Sequence, residues 1–507
     1  MNAATNANLF SRLFDQLDDS GRLAIETADG TRISYGELIA RAGRVANVLV
    51  DRGVRIGDRV AAQTEKSVEA LVLYLAVVRA GAVFLPLNTA YTLRELDYFI
   101  TDAEPSLVVC DPSKAEGVGA IAAKVGARVE TLGADGQGSL TDAAATAPAA
   151  FATVPRERSD LAAILYTSGT TGRSKGAMLT HDNLASNSLS LVDYWRFTDT
   201  DVLIHVLPIY HTHGLFVASN VTLFARASMI FLNKFDPERV ISLMPRATVL
   251  MGVPTTYTRL LQSKALTREA ASHMRLFVSG SAPLLAETHR EWSARTGHAV
   301  LERYGMTETN MNTSNPYDGD RVPGAVGFPL PGVSVRVVDP ETGTELARDE
   351  IGMIEVKGPN VFKGYWRMPD KTKAEFRDDG FFITGDLGKI DRNGYLYILG
   401  RGKDLVISGG FNVYPKEIEG EIDAMPGVVE CAVIGVPHAD FGEGVTAVVV
   451  RANDASVDEA SVLSALDGQI AKFKMPKKVV FVEELPRNTM GKVQKNVLRD
   501  AYSDIYK

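Results

Sequence analysis

The sequence predicts an α/β chain, with a large N-terminal domain built on parallel sheet covered by helices and a small α+β domain at the C-terminal end. Three observations carry that expectation. Strand and helix patterns alternate through about the first 130 residues, which favours parallel strands covered on both faces. A glycine- and hydroxyl-rich loop then separates a buried apolar strand from a helix. From about Gly327 the pattern changes to short strands and turns, and the stretch after Gly400-Arg401-Gly402-Lys403-Asp404 is long enough for a second domain.

Taken in order, residues 35–50 form an amphipathic helix, 58–62 a strand, 67–79 a helix, 82–87 a strand, 93–101 a helix and 107–110 a strand. Between Gly133 and Pro155, Ala, Gly, Thr and Asp without periodicity predict a surface connection. The apolar run 161–165 suits a buried strand, and Thr180 is placed to cap a helix whose stripe is Leu184, Leu191, Val192 and Trp195. Strands at 202–208, 248–253 and 274–278 run into loops with polar groups, 227–232 is a further strand, and 299–302 leads into Arg303 to Glu308. Ligands of open parallel sheets sit beyond such strand ends, which predicts one shared site. Strands at 381–386 and 395–399 flank Asp391-Arg392-Asn393-Gly394, a hairpin signal.

The chain has 507 residues, more than one hydrophobic core usually supports, so at least two domains are expected. Its formal net charge of -8 argues against a nucleic-acid partner. Cys110 and Cys431 are its only cysteines; neither has metal-ligand spacing, and a reducing compartment fits. Residues 1–10 lack the basic and apolar segments of a signal peptide, and no apolar run is long enough for a membrane span. The expectation is a cytoplasmic protein without a membrane partner.

The glycine-rich loop reads Tyr166-Thr167-Ser168-Gly169-Thr170-Thr171-Gly172-Arg173-Ser174-Lys175-Gly176. Glycines let a backbone approach a ligand, and successive N–H groups with hydroxyls surround phosphate oxygens, to which Lys175 adds a point charge. A flexible surface turn has the same composition. The G-x-x-x-x-G-K-[ST] spacing of a Walker loop is absent. These residues point to a phosphate-bearing ligand without choosing a reaction.

Thr167 to Gly172, Tyr304-Gly305-Met306-Thr307-Glu308, Thr384-Gly385-Asp386, Gly400-Arg401 and the run from Pro486 to Lys492 occur in an order that resembles the acyl-adenylate-forming enzymes. The resemblance covers nearly the whole chain and is nearest to the malonate-activating members. It implies layered sheets with helices in an ATP- and acid-binding domain of residues 1–400, a hinge at 401–404 and a mobile domain at 405–507. It also implies a ligase that forms an acyl-AMP from ATP, with Mg2+, and passes the acyl group to coenzyme A.

Residue by residue, the resemblance places Thr167, Ser168, Gly169, Thr170, Thr171, Gly172 and Lys175 on the ATP phosphates. Ser279, Gly280, Ser281, Glu302 and Tyr304 frame the adenine, and Asp386 and Arg401 bind the ribose. Glu308 is expected to hold Mg2+, which takes few protein ligands, with Thr307 near the α-phosphate. Lys492 is the expected catalytic lysine, bridging carboxylate and α-phosphate; Lys403 is the hinge residue. Ser408, Gly409 and Gly410 line the path of the pantetheine arm. From the residues alone, Asp386 reads equally as a turn-capping carboxylate, and Lys492 as a solvated lysine. Ile407 stands where coumarate ligases have a lysine, so that role is not carried over.

Arg303 stands where many relatives have glycine. Its planar fork suits bidentate pairing with the second carboxylate of malonate; a protein carboxylate or solvent is the alternative partner. His211 and Met306 are placed at the same acyl pocket, His211 at its mouth, positioning the substrate, and Arg259 is a secondary candidate for the distal carboxylate. His181, His205 and His213 read as packing or capping residues. No Cys, Asp or Glu at ligand spacing makes the histidines a metal site. The expected function is ligation of malonate to coenzyme A, with methylmalonate as a second substrate. The alternatives are ligation of another short acid and loading of a carrier protein; Glu308, Asp386 and Lys492 speak against a non-catalytic relative. Acetylation of Lys492 by a lysine acetylase would remove its charge.

Overall fold

A computed structural model describes residues 6–167, 174–408, 411–452, 455–470, 472–488 and 491–506, with the backbone alone at 411 and 412. Met1–Pro323, Gly327–Ser334 and Val356–Phe382 form one compact unit; Gly324–Val326, Val335–Glu355 and Ile383–Lys507 form the other.

The first unit holds two large sheets. One has seven strands in the order Gly364–Tyr365, Lys175–Thr180, Leu161–Thr167, Val83–Pro86, Arg59–Gln63, Leu107–Cys110 and Arg128–Thr131. From Leu161–Thr167 onward its neighbours pair in parallel. Leu107-Val108-Val109-Cys110 is buried throughout, as expected of a strand covered on both faces. Helix Val68–Arg79, capped by Ser67, is apolar nearly all round and correspondingly buried, whereas Tyr35–Asp51, capped by Ser34, buries one face. The second sheet has nine strands. Its centre runs Leu301–Met306, Leu276–Ser279, Val249–Gly252, Val202–His205, Ser228–Phe231 and Leu23–Thr27, all pairing in parallel.

Two local expectations differ. Lys175–Thr180 is a strand, paired antiparallel with Leu161–Thr167 so that Thr167 faces Lys175, where the sequence suggested a loop leading straight to a helix. Returning on itself lets the chain satisfy the backbone groups of both arms; the helix starts only at His181, with Thr180 accepting from the Asn183 amide. The connection between Gly133 and Pro155 contains helix Ser139–Thr146, whose buried residues are Leu140 and Ala144. Two apolar contacts one helical turn apart are too few to register as periodicity.

The second unit contains a four-stranded sheet of Ser334–Val338, Gly352–Lys357, Phe382–Ile390 and Leu396–Arg401. The last two strands form the expected hairpin, turning at Asp391–Gly394 with Gly394 at φ +91°. A five-stranded sheet follows, with Gly442–Arg451 between Val428–His438 and the parallel strand Lys478–Val482. Among the described residues no helix is long and apolar enough to cross a membrane.

Candidate functional site

In the first unit, strands Leu276–Ser279 and Leu301–Met306 run parallel with Ser279 opposite Glu302. Successive side chains leave a strand on opposite faces, so Arg303 projects away from the face Glu302 occupies. Arg303 is 3 % exposed, and its Nε and Nη2 have no hydrogen-bond partner. Burial draws its guanidinium down to about 9, against a weaker pull from Tyr257. A buried, unpaired guanidinium is costly, which marks this as a place built for an anion.

The neighbours share that condition. Ser279 Oγ, His211 Nε2 and His213 Nε2 are buried without partners. His213 Nδ1 lies 3.3 Å from Ser281 Oγ, with Ser281 held at φ +71°, a strained conformation for a residue with a side chain. Burial takes His211 down to about 4. Burial, then the charge of Arg303, holds His213 well below the usual histidine range. Both rings are therefore neutral at neutral pH.

His213, which by sequence alone reads as a packing or capping residue, is joined to Ser281 and the Arg303 cluster. It opens the π-helical segment His213–Ser219, a rare geometry common at functional sites that leaves no mark in residue spacing. His181 does pack, its Nδ1 accepting the Leu9 amide at 3.0 Å. Arg259 is exposed on helix Pro254–Gln262. Met306 ends its strand half-buried opposite Asn310, and Tyr304 and Glu302 are buried.

The turn between Met306 and Asn310 carries Thr307, half-buried, and Glu308, buried. Glu308 Oε1 accepts from the Tyr365 hydroxyl at 3.1 Å and from Thr167 Oγ1 at 3.5 Å. The same Tyr365 hydroxyl lies 2.6 Å from Glu375 Oε2, and Glu375 Oε1 pairs with Lys175 at 3.1 Å. Burial works to raise the Glu375 carboxyl, but Lys371, Tyr365 and Lys175 outweigh it and hold it below the ordinary value. Tyr365 is pushed far up, by burial first and then by the two carboxylates. Thr167, Lys175 and Glu308 are thus joined through Tyr365 and Glu375, two residues that no sequence motif announced. Ser168, Gly169, Thr170, Thr171 and Gly172 lie outside the described residues.

In the second unit, Asp386 and Arg401 face each other across the hairpin, Arg401 Nε donating to Asp386 Oδ1 at 2.8 Å. Arg401 Nη1 also donates to the Thr384 carbonyl at 3.1 Å. Lys492 is exposed as a residue, although its ammonium end is desolvated. Desolvation, then the charge of Arg401, lowers its pKa, while Asp386 and Asp404 oppose the shift. Lys403 is lowered by burial first and then by Arg401, Lys492 and Arg499, against Asp404. Lys492, Lys403, Asp386 and Arg401 therefore share one electrostatic cluster. Ser408 is buried and pairs with Gly442; Gly409 and Gly410 lie outside the described residues.

A family model described as AMP-binding enzyme matches residues 16–366, and one described as AMP-binding enzyme C-terminal domain matches residues 417–492. The crystal structure of ATP-bound MatB from Rhodopseudomonas palustris is similar with a TM-score of 0.98 and 82% identity, covering 99% of this chain and 100% of that one. A malonate–CoA ligase of Arabidopsis thaliana is 35% identical over 97% of this chain and 88% of its own length. A feruloyl-CoA synthase of an Amycolatopsis species is 37% identical, with coverages of 93% and 94%. Relatives at one level of identity are thus named for acids as unlike as malonate and ferulate.

Proposed function

The chain belongs to the AMP-binding enzyme family, and from that membership we propose that it joins malonate to coenzyme A, converting ATP to AMP and pyrophosphate through malonyl-AMP. The observation that carries the acid is the buried Arg303 guanidinium, with Nε and Nη2 unpartnered beside Ser279 and His213. A second carboxylate on the acid answers that need. Acetate, or a large uncharged acid such as ferulate, leaves it unmet.

First, one malonate carboxylate attacks the α-phosphorus and pyrophosphate departs with the bonding electrons. The coenzyme A thiol, losing its proton, then attacks the acyl carbon and AMP leaves. Both reactants of the first step are anionic, so alignment and charge neutralisation are what the protein must supply. In this reading Thr167 to Gly172 and Lys175 hold the phosphates, Ser279, Gly280, Ser281, Glu302 and Tyr304 frame the adenine, and Asp386 and Arg401 hold the ribose. Thr307 acts near the α-phosphate, His211 and Met306 flank the acid, and Lys492 neutralises the charge that builds during attack.

Glu308 is the residue assigned to Mg2+. It is buried and its carboxylate accepts from the hydroxyls of Tyr365 and Thr167; a carboxylate oxygen is the donor such an ion prefers. Bound there, Mg2+ supplies neutralisation of phosphate charge. Residues 401–404, with Lys403, are assigned as the hinge between an ATP- and acid-binding domain of residues 1–400 and a domain of residues 405–507. Ser408, Gly409 and Gly410 line the pantetheine path. Methylmalonate is a second substrate, and the two buried free cysteines suit a cytoplasmic setting.

Pyrophosphate release with ATP, Mg2+ and a panel of mono- and dicarboxylic acids, with and without coenzyme A, tests this. Malonate-dependent release and malonyl-CoA formation are expected. Release without transfer to free coenzyme A would point to a carrier protein as acceptor, and no release with any acid would remove the ligase reading.

A further inference from the structure

Lys66 and His205 form a buried pair to which the ligase chemistry gives no task. Lys66, 8 % exposed, follows strand Arg59–Gln63; its ammonium donates to the His205 carbonyl at 2.8 Å and lies 3.0 Å from His205 Nδ1. The Phe231 ring is 4.4 Å away. Desolvation alone draws the lysine well below its ordinary range. A buried amine without a counter-ion is a poor choice for stability, since an apolar side chain would fill the space without that penalty.

At the end of strand Val202–His205, His205 turns Nε2 to the Gly214 carbonyl at 3.0 Å and to Ser219 Oγ at 3.1 Å. Ser219 Oγ donates to the same carbonyl at 2.9 Å. Its hydrogen is thereby used, and both neighbours of Nε2 are acceptors. Nε2 therefore carries the ring proton and Nδ1 accepts from Lys66. Gly214 and Ser219 belong to the π-helical segment that His213 opens, and this turn is tight: a Cβ on Gly214 would stand 2.0 Å from the Pro208 carbonyl oxygen.

We propose that Lys66 is a positioning residue: by donating to both Nδ1 and the carbonyl of His205 it holds that ring in place, and the ring's Nε2–H anchors the Gly214 carbonyl and so sets the adjoining His213 against Ser281 and Arg303. The inference rests on reading the Arg303 pocket as the acid site. It assigns Lys66 no contact with substrate and no share in ATP binding.

Steady-state kinetics of the full-length Lys66→Met enzyme test it, using whichever acid the wild-type protein turns over fastest. A wrong acid assignment then appears in the wild type and not in the variant. KM for the acid is expected to rise about 10- to 100-fold, the scale of a reacting group displaced by about 1 Å. KM for ATP should not change, and the Tm should not fall, since removing a buried amine without a counter-ion is neutral or stabilising. Adding His205→Gln, whose amide N–H reaches Gly214 without a ring for Lys66 to hold, should restore the acid KM. In 15N spectra of Lys66→Met the His205 ring should keep the Nε2–H form that Gly214 requires, while its Nδ1 resonance moves to that of an acceptor without a donor. An unchanged acid KM, an equal rise in both KM values with a lower Tm, or no restoration by His205→Gln would overturn the proposal.

Discussion

Gly280 leaves the space that Arg303 fills: a Cβ at position 280 would stand 2.4 Å from Arg303 Cζ and 2.6 Å from its Nε. The two residues lie on neighbouring segments, one just past strand Leu276–Ser279 and the other within Leu301–Met306. A glycine where a side chain would collide and an arginine that occupies the space are thus one arrangement. The guanidinium cannot keep its place once residue 280 gains a methyl group.

Arg303→Gly should lower kcat/KM for malonate about 10²- to 10³-fold, the scale of truncating one partner of a buried charge pair. Propionate, with no second carboxylate, should lose little or improve. Arg303→Lys should not restore malonate, because an ammonium lacks the planar fork. Gly280→Ala should reproduce the malonate loss by displacing the same group. Competition between malonate and propionate checks all three, and parallel losses for both acids would refute the assignment.

His181 links stability to pH. Burial, reinforced by Arg156, lowers its pKa from the ordinary 6.5 to about 4. The folded value lies below the unfolded one, so the associated stability is present above about 6.5 and is lost as pH falls toward 4. The full effect is roughly 3 kcal/mol. His181→Asn keeps an acceptor for the Leu9 amide and cannot take up a proton. Denaturant unfolding between neutral pH and pH 4.5 should show a shallower acid decline for the variant, and an unchanged slope would remove His181 as its source.

Much of this site was legible because backbone chemistry confines it to short runs. Ser279-Gly280-Ser281 ends a buried strand, and Tyr304 to Glu308 turns a hairpin, so local order alone places these groups at strand ends. Tyr365 and Glu375 were not legible. Each is an ordinary residue whose role depends on a long-range approach to Glu308 and Lys175, and long-range pairing leaves no periodic trace. Strand Lys175–Thr180 was hidden for a related reason: Lys-Gly-Ala-Met-Leu-Thr has no strong alternation, and pairing with Leu161–Thr167 decides its conformation. His213 needed a π-helical turn that spacing rules do not anticipate.

Tyr365→Phe tests the network at Glu308. The Tyr365 hydroxyl has one hydrogen and two carboxylates within reach, at 3.1 Å and 2.6 Å. Removing it leaves Glu308 and Glu375 without their shared donor and loosens both. Adenylation should slow about 10-fold, as commonly follows loss of a group that orients an ion's ligand. The Mg2+ concentration for half-maximal pyrophosphate release should rise, with KM for malonate unchanged. A shift in malonate KM without a shift in the Mg2+ requirement would place Tyr365 elsewhere in the mechanism.

Lys492→Gln separates the two half-reactions and mimics acetylation. Desolvation and then Arg401 lower the Lys492 pKa, while the charges of Asp386 and Asp404 oppose the shift. The protonated form is the one that neutralises the developing charge, so adenylation should decline as pH rises through that lowered value. Glutamine removes the charge at every pH and should abolish this limb of the profile. Malonate-dependent exchange of pyrophosphate into ATP should fall about 10²- to 10³-fold, the scale of losing one electrostatic contact to a transition state. Thioester formation from malonyl-AMP supplied ready-made does not include attack of the carboxylate on the α-phosphorus, the step assigned to Lys492, and should be retained. Enzymatic acetylation of the wild-type protein should reproduce the pattern, and deacetylation should reverse it. Equal loss of both half-reactions in Lys492→Gln would mean that Lys492 supports the second unit as a whole, because a purely structural residue has no means of telling adenylation from transfer.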